Sequence, residues 1–78
     1  MTPTDYCAAV AAEVRAEMAR QRRTQGELAA ALRITAPTAA RRLDGSVPFD
    51  VRELMTVAVW LGVPVTQLLG HSPEAVSA

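Results

Sequence analysis

The sequence predicts an all-α fold, a compact bundle of five helices with an extended N-terminal helix. Apolar residues recur at helical spacing along most of the 78 residues, and no segment alternates apolar and polar residues as a half-buried β-strand does. A serine, threonine or aspartate followed three residues later by glutamate marks the start of a helix, and this capping box occurs at 24–27 and 50–53. Hydrophobic residues make up 50% of the chain, enough for one small domain with its own core.

The first helix is expected from Thr4 to about Arg22. Thr4 is the expected N-cap, and Asp5 suits the first turn because the helix dipole favours negative charge there. The face that would pack inward is set by apolar side chains at i, i+4 spacing: Tyr6, Val10, Val14 and Met18. The pattern predicts an amphipathic helix of about five turns.

A short second helix is expected to begin at the capping box 24–27, with Leu28, Ala29 and Leu32 facing inward. Two residues, 33–34, then separate it from the expected N-cap of a third helix, Thr35. A proline near the start of this third helix is tolerated, since the first amide hydrogens have no partner within the helix. The third helix is expected to stop after Leu43, at 44–45, where glycine permits a left-handed turn.

The fourth helix is expected to start at the box 50–53, with Phe49 packed on Leu54 as a hydrophobic staple. Its inward face is predicted to hold Leu54, Val57, Ala58 and Leu61, and it is expected to end at Gly62. A last short helix is expected within 63–70. Residues 1–70 are then one domain, and 71–78 a flexible C-terminal tail.

Composition limits the location and class of the protein. No apolar run approaches the roughly 18 residues that span a bilayer, and the N-terminus lacks the layout of a signal peptide. We therefore expect a cytoplasmic protein, with no membrane partner. A single cysteine, Cys7, cannot form an internal disulfide and is expected to be a small buried apolar side chain.

Charge is distributed unevenly along the chain. Eight arginines balance eight acidic residues, so the formal net charge is zero. Residues 15–42, however, hold seven of the arginines and two glutamates, so the middle of the chain is basic. This asymmetry favours a polyanionic partner, while for the cluster Arg20, Arg22 and Arg23 the solvated end of a helix is an equal alternative.

Two short helices joined by a tight turn are the geometry of a helix-turn-helix, here at about 24–44. Residues 21–69 resemble the phage repressor and Cro family, also called the XRE family. The resemblance is carried by Gln25, Leu28, Ala29, Leu32, Ile34, 43–45, Leu54, Ala58, 61–63 and 68–69. It implies a lambda-repressor-like fold and a sequence-specific double-stranded DNA-binding transcriptional regulator of a phage or prokaryote.

The chain departs from the family pattern at three positions. Arg33 stands where the family usually has glycine, so we expect a differently shaped turn, because a non-glycine residue in the left-handed conformation costs about 1 kcal/mol. Ala39 and Arg42 replace larger apolar side chains. The guanidinium of Arg42 is expected to reach solvent while its stem lies along the edge of the core.

The recognition helix is expected at about 36–43. The side chains expected to face base edges in the major groove are Ala36, Pro37, Thr38, Ala40 and Arg41. Small side chains permit a close approach, and Arg41 is predicted to be the main reader, donating two hydrogen bonds to guanine. The alternative is that Arg41 contacts only a phosphate or Asp44.

Phosphate contacts are expected from groups that flank this helix: Arg22, Arg23, Gln25, Thr35, Arg42 and Ser46. Gln25 begins the second helix, whose dipole favours a phosphate, and the resemblance implies the same role. About four to six neutralised phosphates per protomer predict a steep dependence of affinity on salt.

One such domain reads only about four or five base pairs, so a homodimer on the DNA operator is expected. Val51, Met55, Val59 and Trp60 form an apolar patch on the fourth helix that fits a dimer or partner contact. Two alternatives remain: the first helix or the tail covers this patch, or the long first helix is itself the dimer contact.

An enzyme is not expected. His71 has no paired carboxylate or nucleophile at a meaningful spacing, and neither a phosphate-binding glycine loop nor a set of metal ligands is present. No cofactor, metal or small-molecule ligand is expected. The competing hypothesis is a protein-interaction module on the same fold, an antirepressor or assembly factor, that uses the apolar patch of the fourth helix.

Overall fold

The computed structural model describes residues 2–69, which form five α-helices and no β-strand. The helices are α1 (Pro3–Gln21), α2 (Gln25–Leu32), α3 (Ala36–Leu43), α4 (Val51–Leu61) and α5 (Val65–Leu68). The predicted all-α class and the number of helices are confirmed. The predicted tail at 71–78, with His71, lies outside the described residues.

Helix α1 begins two residues earlier than the sequence pattern suggested. Its N-cap is Thr2, whose Oγ1 accepts a hydrogen bond from the Asp5 amide at 3.2 Å. The Asp5 carboxylate accepts one from the Thr2 amide at 3.0 Å, and this bond holds the pKa of Asp5 below its usual value. The prediction of Thr4 as N-cap was wrong, because Pro3 fits the first helical position and leaves the reciprocal cap to Thr2.

The starts of α2, α3 and α4 agree with the sequence. Thr24 and Asp50 form the predicted capping boxes with Glu27 and Glu53, and Thr35 caps α3 by accepting from the Thr38 amide. Helix α4 ends at a left-handed Gly62, as predicted. Helix α5 is shorter than the expected 63–70, because the Val63 amide donates to Ala58 O in the turn that ends α4 and Pro64 is the N-cap.

The turn between α2 and α3 contains a strained residue. Arg33 adopts the left-handed conformation, with φ 58° and ψ 44°, so the expectation that the turn avoids it was wrong. The Arg33 amide donates to Ala30 O at 3.2 Å, and the Ile34 amide donates to Ala29 O at 3.0 Å. These two hydrogen bonds satisfy carbonyls at the end of α2 and offset the cost of the conformation.

The core lies where α1 crosses the other helices. Helix α1 packs on α3, α4 and α5, while α2 packs on α3 and α4. The largest fully buried side chains are Leu28, Leu68, Val14 and Val57. Cys7 is half-buried rather than buried, and it lines a small apolar cavity. None of the helices in the described part of the chain is long and apolar enough to cross a membrane.

A buried carboxylate joins three helices on the far side of this core. Glu17 of α1 accepts hydrogen bonds from Arg20 at 3.0 Å, Gln21 at 2.9 Å and Gln67 at 2.9 Å. Gln21 also donates to Leu61 O at 2.7 Å. The bonds from Gln21 and Arg20 lower the pKa of Glu17, and the group holds α4 and α5 against α1.

Candidate nucleic-acid interface

Helices α2 and α3 are joined at their N-terminal ends by a side chain. Nε2 of Gln25, the first residue of α2, donates a hydrogen bond to the backbone oxygen of Ala36, the first residue of α3, at 3.1 Å. The contact crosses the turn and keeps the two N-termini side by side. Gln25 is exposed, and its Nε2 has a second hydrogen to donate.

The outer face of α3 consists of small side chains. Ala36 and Pro37 are exposed, Thr38 and Ala40 are half-buried, and Ala39 is fully buried beneath them. The burial of Ala39 fixes which face of α3 packs on the bundle. Pro37 lies nearest the side opposite Ala39, with Thr38 and Ala40 at the edges of that side, while Ala36 is exposed as the first residue of the helix.

Arg41 lies one turn after Pro37 on this face and is exposed. Within residues 2–69 it forms no salt bridge, so the predicted alternative of a direct pair with Asp44 is not seen. Its charge acts on Asp44 only from a distance. Arg41 therefore adds a long side chain with hydrogen-bond donors to the outer face of α3.

The loop after α3 is ordered by Asp44. The Ser46 amide donates to Asp44 Oδ1 at 2.7 Å, and the Ser46 hydroxyl donates to the same oxygen. The pKa of Asp44 is lowered chiefly by the hydroxyl bond, then by the amide bond, and less by the charges of Arg15 and Arg41. Ser46 remains exposed, with its hydroxyl proton engaged and its amide no longer free for a phosphate.

Three more of the predicted phosphate contacts are one hydroxyl group, at the start of α3, and two guanidinium groups, between α1 and α2. Thr35 Oγ1 lies 2.8 Å from Thr38 Oγ1, so the two hydroxyls are hydrogen-bonded to each other at the start of α3. Arg22 is exposed at the end of α1, in a left-handed conformation with φ 55°. Arg23 lies over the ring of Trp60, with its Cζ atom 5.0 Å from the ring centroid.

Arg42 does not extend into solvent as expected. Its guanidinium donates from Nε and Nη2 to Glu53 Oε1 and Oε2, at 3.0 and 3.3 Å, and 18% of the Arg42 side chain is exposed. The expectation was wrong because α4 presents a carboxylate that is already held in place by its own capping box. Because Nε and Nη2 of the guanidinium already donate to Glu53, we leave Arg42 out of the proposed phosphate contacts.

Two residues of this region were missed by sequence reasoning. Arg15 of α1 donates from Nη1 to the backbone oxygen of Leu43, and this contact holds the last turn of α3. Trp60, expected only as part of an apolar patch, supports Arg23. Neither contact has a local sequence signal, since the partners are 28 and 37 residues apart.

The apolar patch of α4 is mostly open in the described part of the chain. Val51 is 80% exposed, Met55 49% and Val59 81%, so α1 does not cover it. Trp60 is half-buried against the core and differs from the other three. The alternative that the tail covers the patch falls on residues outside the described range.

One long and four shorter helices around one core, with α2 and α3 paired across a tight turn, define a small all-helical domain. The chain belongs to the BetR domain family, whose model matches residues 5–77. No curated protein and no solved structure matches the chain.

Proposed function

We propose that this chain is a sequence-specific double-stranded DNA-binding regulator of transcription, of the phage repressor and Cro type. The proposal includes a lambda-repressor-like arrangement with the helix-turn-helix at about 24–44. It is supported by the shortness of α2 and α3, by the three residues (33–35) between them, and by the Gln25 contact with Ala36.

The observation that carries the proposal is the outer face of α3. Exposed Ala36 and Pro37 leave room for the helix to approach base edges in the major groove. Arg41 extends from the same face with no salt bridge to the described residues, so its guanidinium is free to donate to O6 and N7 of guanine. Such a bidentate contact discriminates between bases by about 1 to 3 kcal/mol.

Phosphate contacts in this proposal come from Arg22, Arg23, Gln25 and Thr35, while Ser46 is left out because its amide and hydroxyl both donate to Asp44. In the structure these residues are exposed or half-buried, and none lies in the core. The contacts position the domain on the duplex without reading its sequence, so their loss weakens binding to all sequences alike.

A homodimer on a two-fold operator completes the proposed mode of action, because one domain reads too few base pairs for useful specificity. The exposed patch formed by Val51, Met55 and Val59 offers the dimer surface. The protein then acts by occupying its operator in the cytoplasm of a prokaryotic or phage-infected cell. We assign no catalytic role, cofactor or small-molecule ligand to it.

A second candidate function rests on the same patch. Val51 and Val59 are four-fifths exposed, which is unusual for two valines on one side of one helix. In this reading the domain is a protein-interaction module, an antirepressor or assembly factor, and the DNA face is unused.

Selection of duplexes from a random DNA pool separates the two functions. We expect the wild-type protein to enrich one motif at low salt, and Arg41→Ala to lose that enrichment. Arg52→Ala, which removes the same charge from an exposed position on α4, is the matched control and keeps it. If the wild-type protein enriches no motif, the proposal of sequence-specific DNA binding is overturned. If Met55→Asp then loses a complex with a protein partner and Arg41→Ala keeps it, the protein-interaction module is favoured.

A further inference from the structure

A groove of about 540 Å³ lies between the C-terminal end of α2 and the first half of α4. Its lining on α2 includes Leu32 and Arg33, and its lining on and before α4 includes Asp50, Arg52, Glu53 and Thr56. Gln25, which belongs to the proposed DNA interface, stands at the opposite end of α2. The groove is also distinct from the apolar patch of α4, since it contains none of the residues of that patch.

The two arginines of the groove face it from different helices. Arg33 ends α2 and Arg52 lies in the first turn of α4, and both are exposed. Within the described range, neither forms a salt bridge. Two positive charges on facing walls are therefore available to a ligand.

The carboxylates of the groove are already engaged. Asp50 Oδ1 accepts the Glu53 amide at 2.7 Å, and the Glu53 carboxylate accepts the Arg42 guanidinium. Glu53 is neutralised by its ion pair, while Asp50 caps the helix and keeps its negative charge, so the two arginines leave the groove with a net charge of about +1. Leu32, which is half-buried, adds an apolar contact on the α2 wall.

The backbone at Arg33 determines where its side chain leaves α2. Its φ of 58° is a conformation that glycine adopts more readily than any other residue. The hydrogen bonds that end α2 hold this conformation, so the side chain of Arg33 leaves the helix at the groove. Arg22 shares the conformation, with φ 55°, at the end of α1, where it does not line the groove.

We propose that this groove binds an acidic segment of a protein partner, in which glutamate or aspartate side chains flank an aliphatic one. The carboxylates pair with Arg33 and Arg52, for which arginine provides two parallel donors. The aliphatic side chain packs on Leu32. The surface gives the domain a protein partner in addition to DNA, and it does not depend on the DNA-binding proposal.

The test is a titration of the whole protein, followed by amide NMR, with short synthetic peptides in which one leucine is flanked by glutamates at varied spacing. We expect at least one peptide to shift the amide signals of Arg33, Arg52 and Thr56. The same peptide with glutamine in place of glutamate should bind about tenfold more weakly, as should the glutamate peptide to Arg33→Gly, because each change removes a charge-assisted pair.

Arg33→Gly is a sharp variant because glycine suits the left-handed position, so weaker binding does not reflect unfolding. Its matched control is Arg22→Gly, which makes the same change outside the groove and should keep the peptide affinity. Duplex DNA is titrated in parallel, where Arg22→Gly should weaken binding and Arg33→Gly should not.

Three results overturn the proposal: no glutamate peptide shifts the groove signals, the glutamine peptides bind as tightly, or Arg33→Gly keeps full affinity. A shift of the groove signals by DNA instead of peptide also overturns it, because the arginines then serve the nucleic acid. Peptide binding by a protein that enriches no DNA motif supports the groove and counts against the proposed DNA function alone.

Discussion

Arg42 and Glu53 form a two-point ion pair that joins the last turn of α3 to the first turn of α4. Glu53 Oε1 accepts both Arg42 Nε and the Asp50 amide at 3.0 Å, so one oxygen serves the ion pair and the helix cap. Ala39, the buried residue of α3, offers little surface for packing. The position of α3 therefore depends partly on this pair, besides the packing of α3 on α1 and α2.

Changing Glu53 to glutamine tests that dependence. Glutamine still serves in a capping box, so Glu53→Gln removes the charge and keeps the cap. We expect the free energy of unfolding in urea to fall by about 1 kcal/mol, since the paired side chains are 18% and 14% exposed rather than fully buried. Glu27→Gln makes the same change in the box of α2, where the glutamate has no salt bridge among the described residues, and should cost less. Equal losses would contradict the assignment.

Substitutions at the two left-handed helix ends, Arg33 and Gly62, should change the free energy of unfolding in opposite directions. Arg33→Gly should raise the free energy of unfolding by about 0.5 to 1 kcal/mol, because glycine relieves the strain at φ 58°. Gly62→Ala should lower it by about 1 kcal/mol through the backbone alone, since a Cβ at Gly62 meets no atom within 4 Å. Chemical unfolding measures the free energy of unfolding of both variants. A Gly62→Ala variant that is more stable than wild type would count against the left-handed conformation of Gly62.

Local signals predicted the helix boundaries well. The boxes of Thr24 with Glu27 and Asp50 with Glu53 depend on residues three apart, so the sequence alone places α2 and α4 to the residue. The start of α1 at Thr2 escapes this rule, because the residue three positions later is Asp5 and not glutamate. It was missed because the apolar pattern begins at Tyr6 and does not show how far the helix extends before it.

Contacts between distant segments could not be predicted in this way. The partner of Arg42 is eleven residues away, and Trp60 lies 37 residues after Arg23, so both pairs exist only because the helices pack as they do. The strained Arg33 is a similar case. Propensity argued against a left-handed arginine, but two backbone hydrogen bonds at the end of α2 outweigh that preference.

The carboxylate of Glu17 predicts a pH dependence of stability. Its pKa in the folded protein lies below the ordinary value of 4.5, first through the hydrogen bond from Gln21 and then through Arg20. Because the folded pKa is the lower one, the stabilisation is complete above the ordinary value and is lost as pH falls through the folded pKa. Glu17→Gln should therefore be less stable than wild type at neutral pH and lose less stability on acidification.

Urea unfolding at a series of pH values from neutral to acidic measures this difference. Glu13→Gln is the control, because Glu13 lies on the same helix but its carboxylate forms no hydrogen bond with the described residues. It should change stability little and keep the wild-type pH curve. If the curves of unfolding free energy against pH are parallel for Glu17→Gln and wild type, the Glu17 carboxylate does not cause the loss of stability at acidic pH.

The stacking of Arg23 on Trp60 predicts a spectroscopic signal for DNA binding. Trp60 is the single tryptophan of the chain, and the Arg23 guanidinium lies 5.0 Å from its ring. A phosphate that draws Arg23 toward itself changes this contact, so the fluorescence emission of Trp60 should change as duplex is added.

In Arg23→Gln the Trp60 emission should not respond to duplex, and affinity should fall similarly for all sequences. The slope of log affinity against log salt should become shallower by about 1. Arg52→Gln, an exposed arginine away from the proposed interface, should leave slope and signal unchanged. An unchanged slope in Arg23→Gln would remove Arg23 from the phosphate contacts and leave its ring contact a purely structural one.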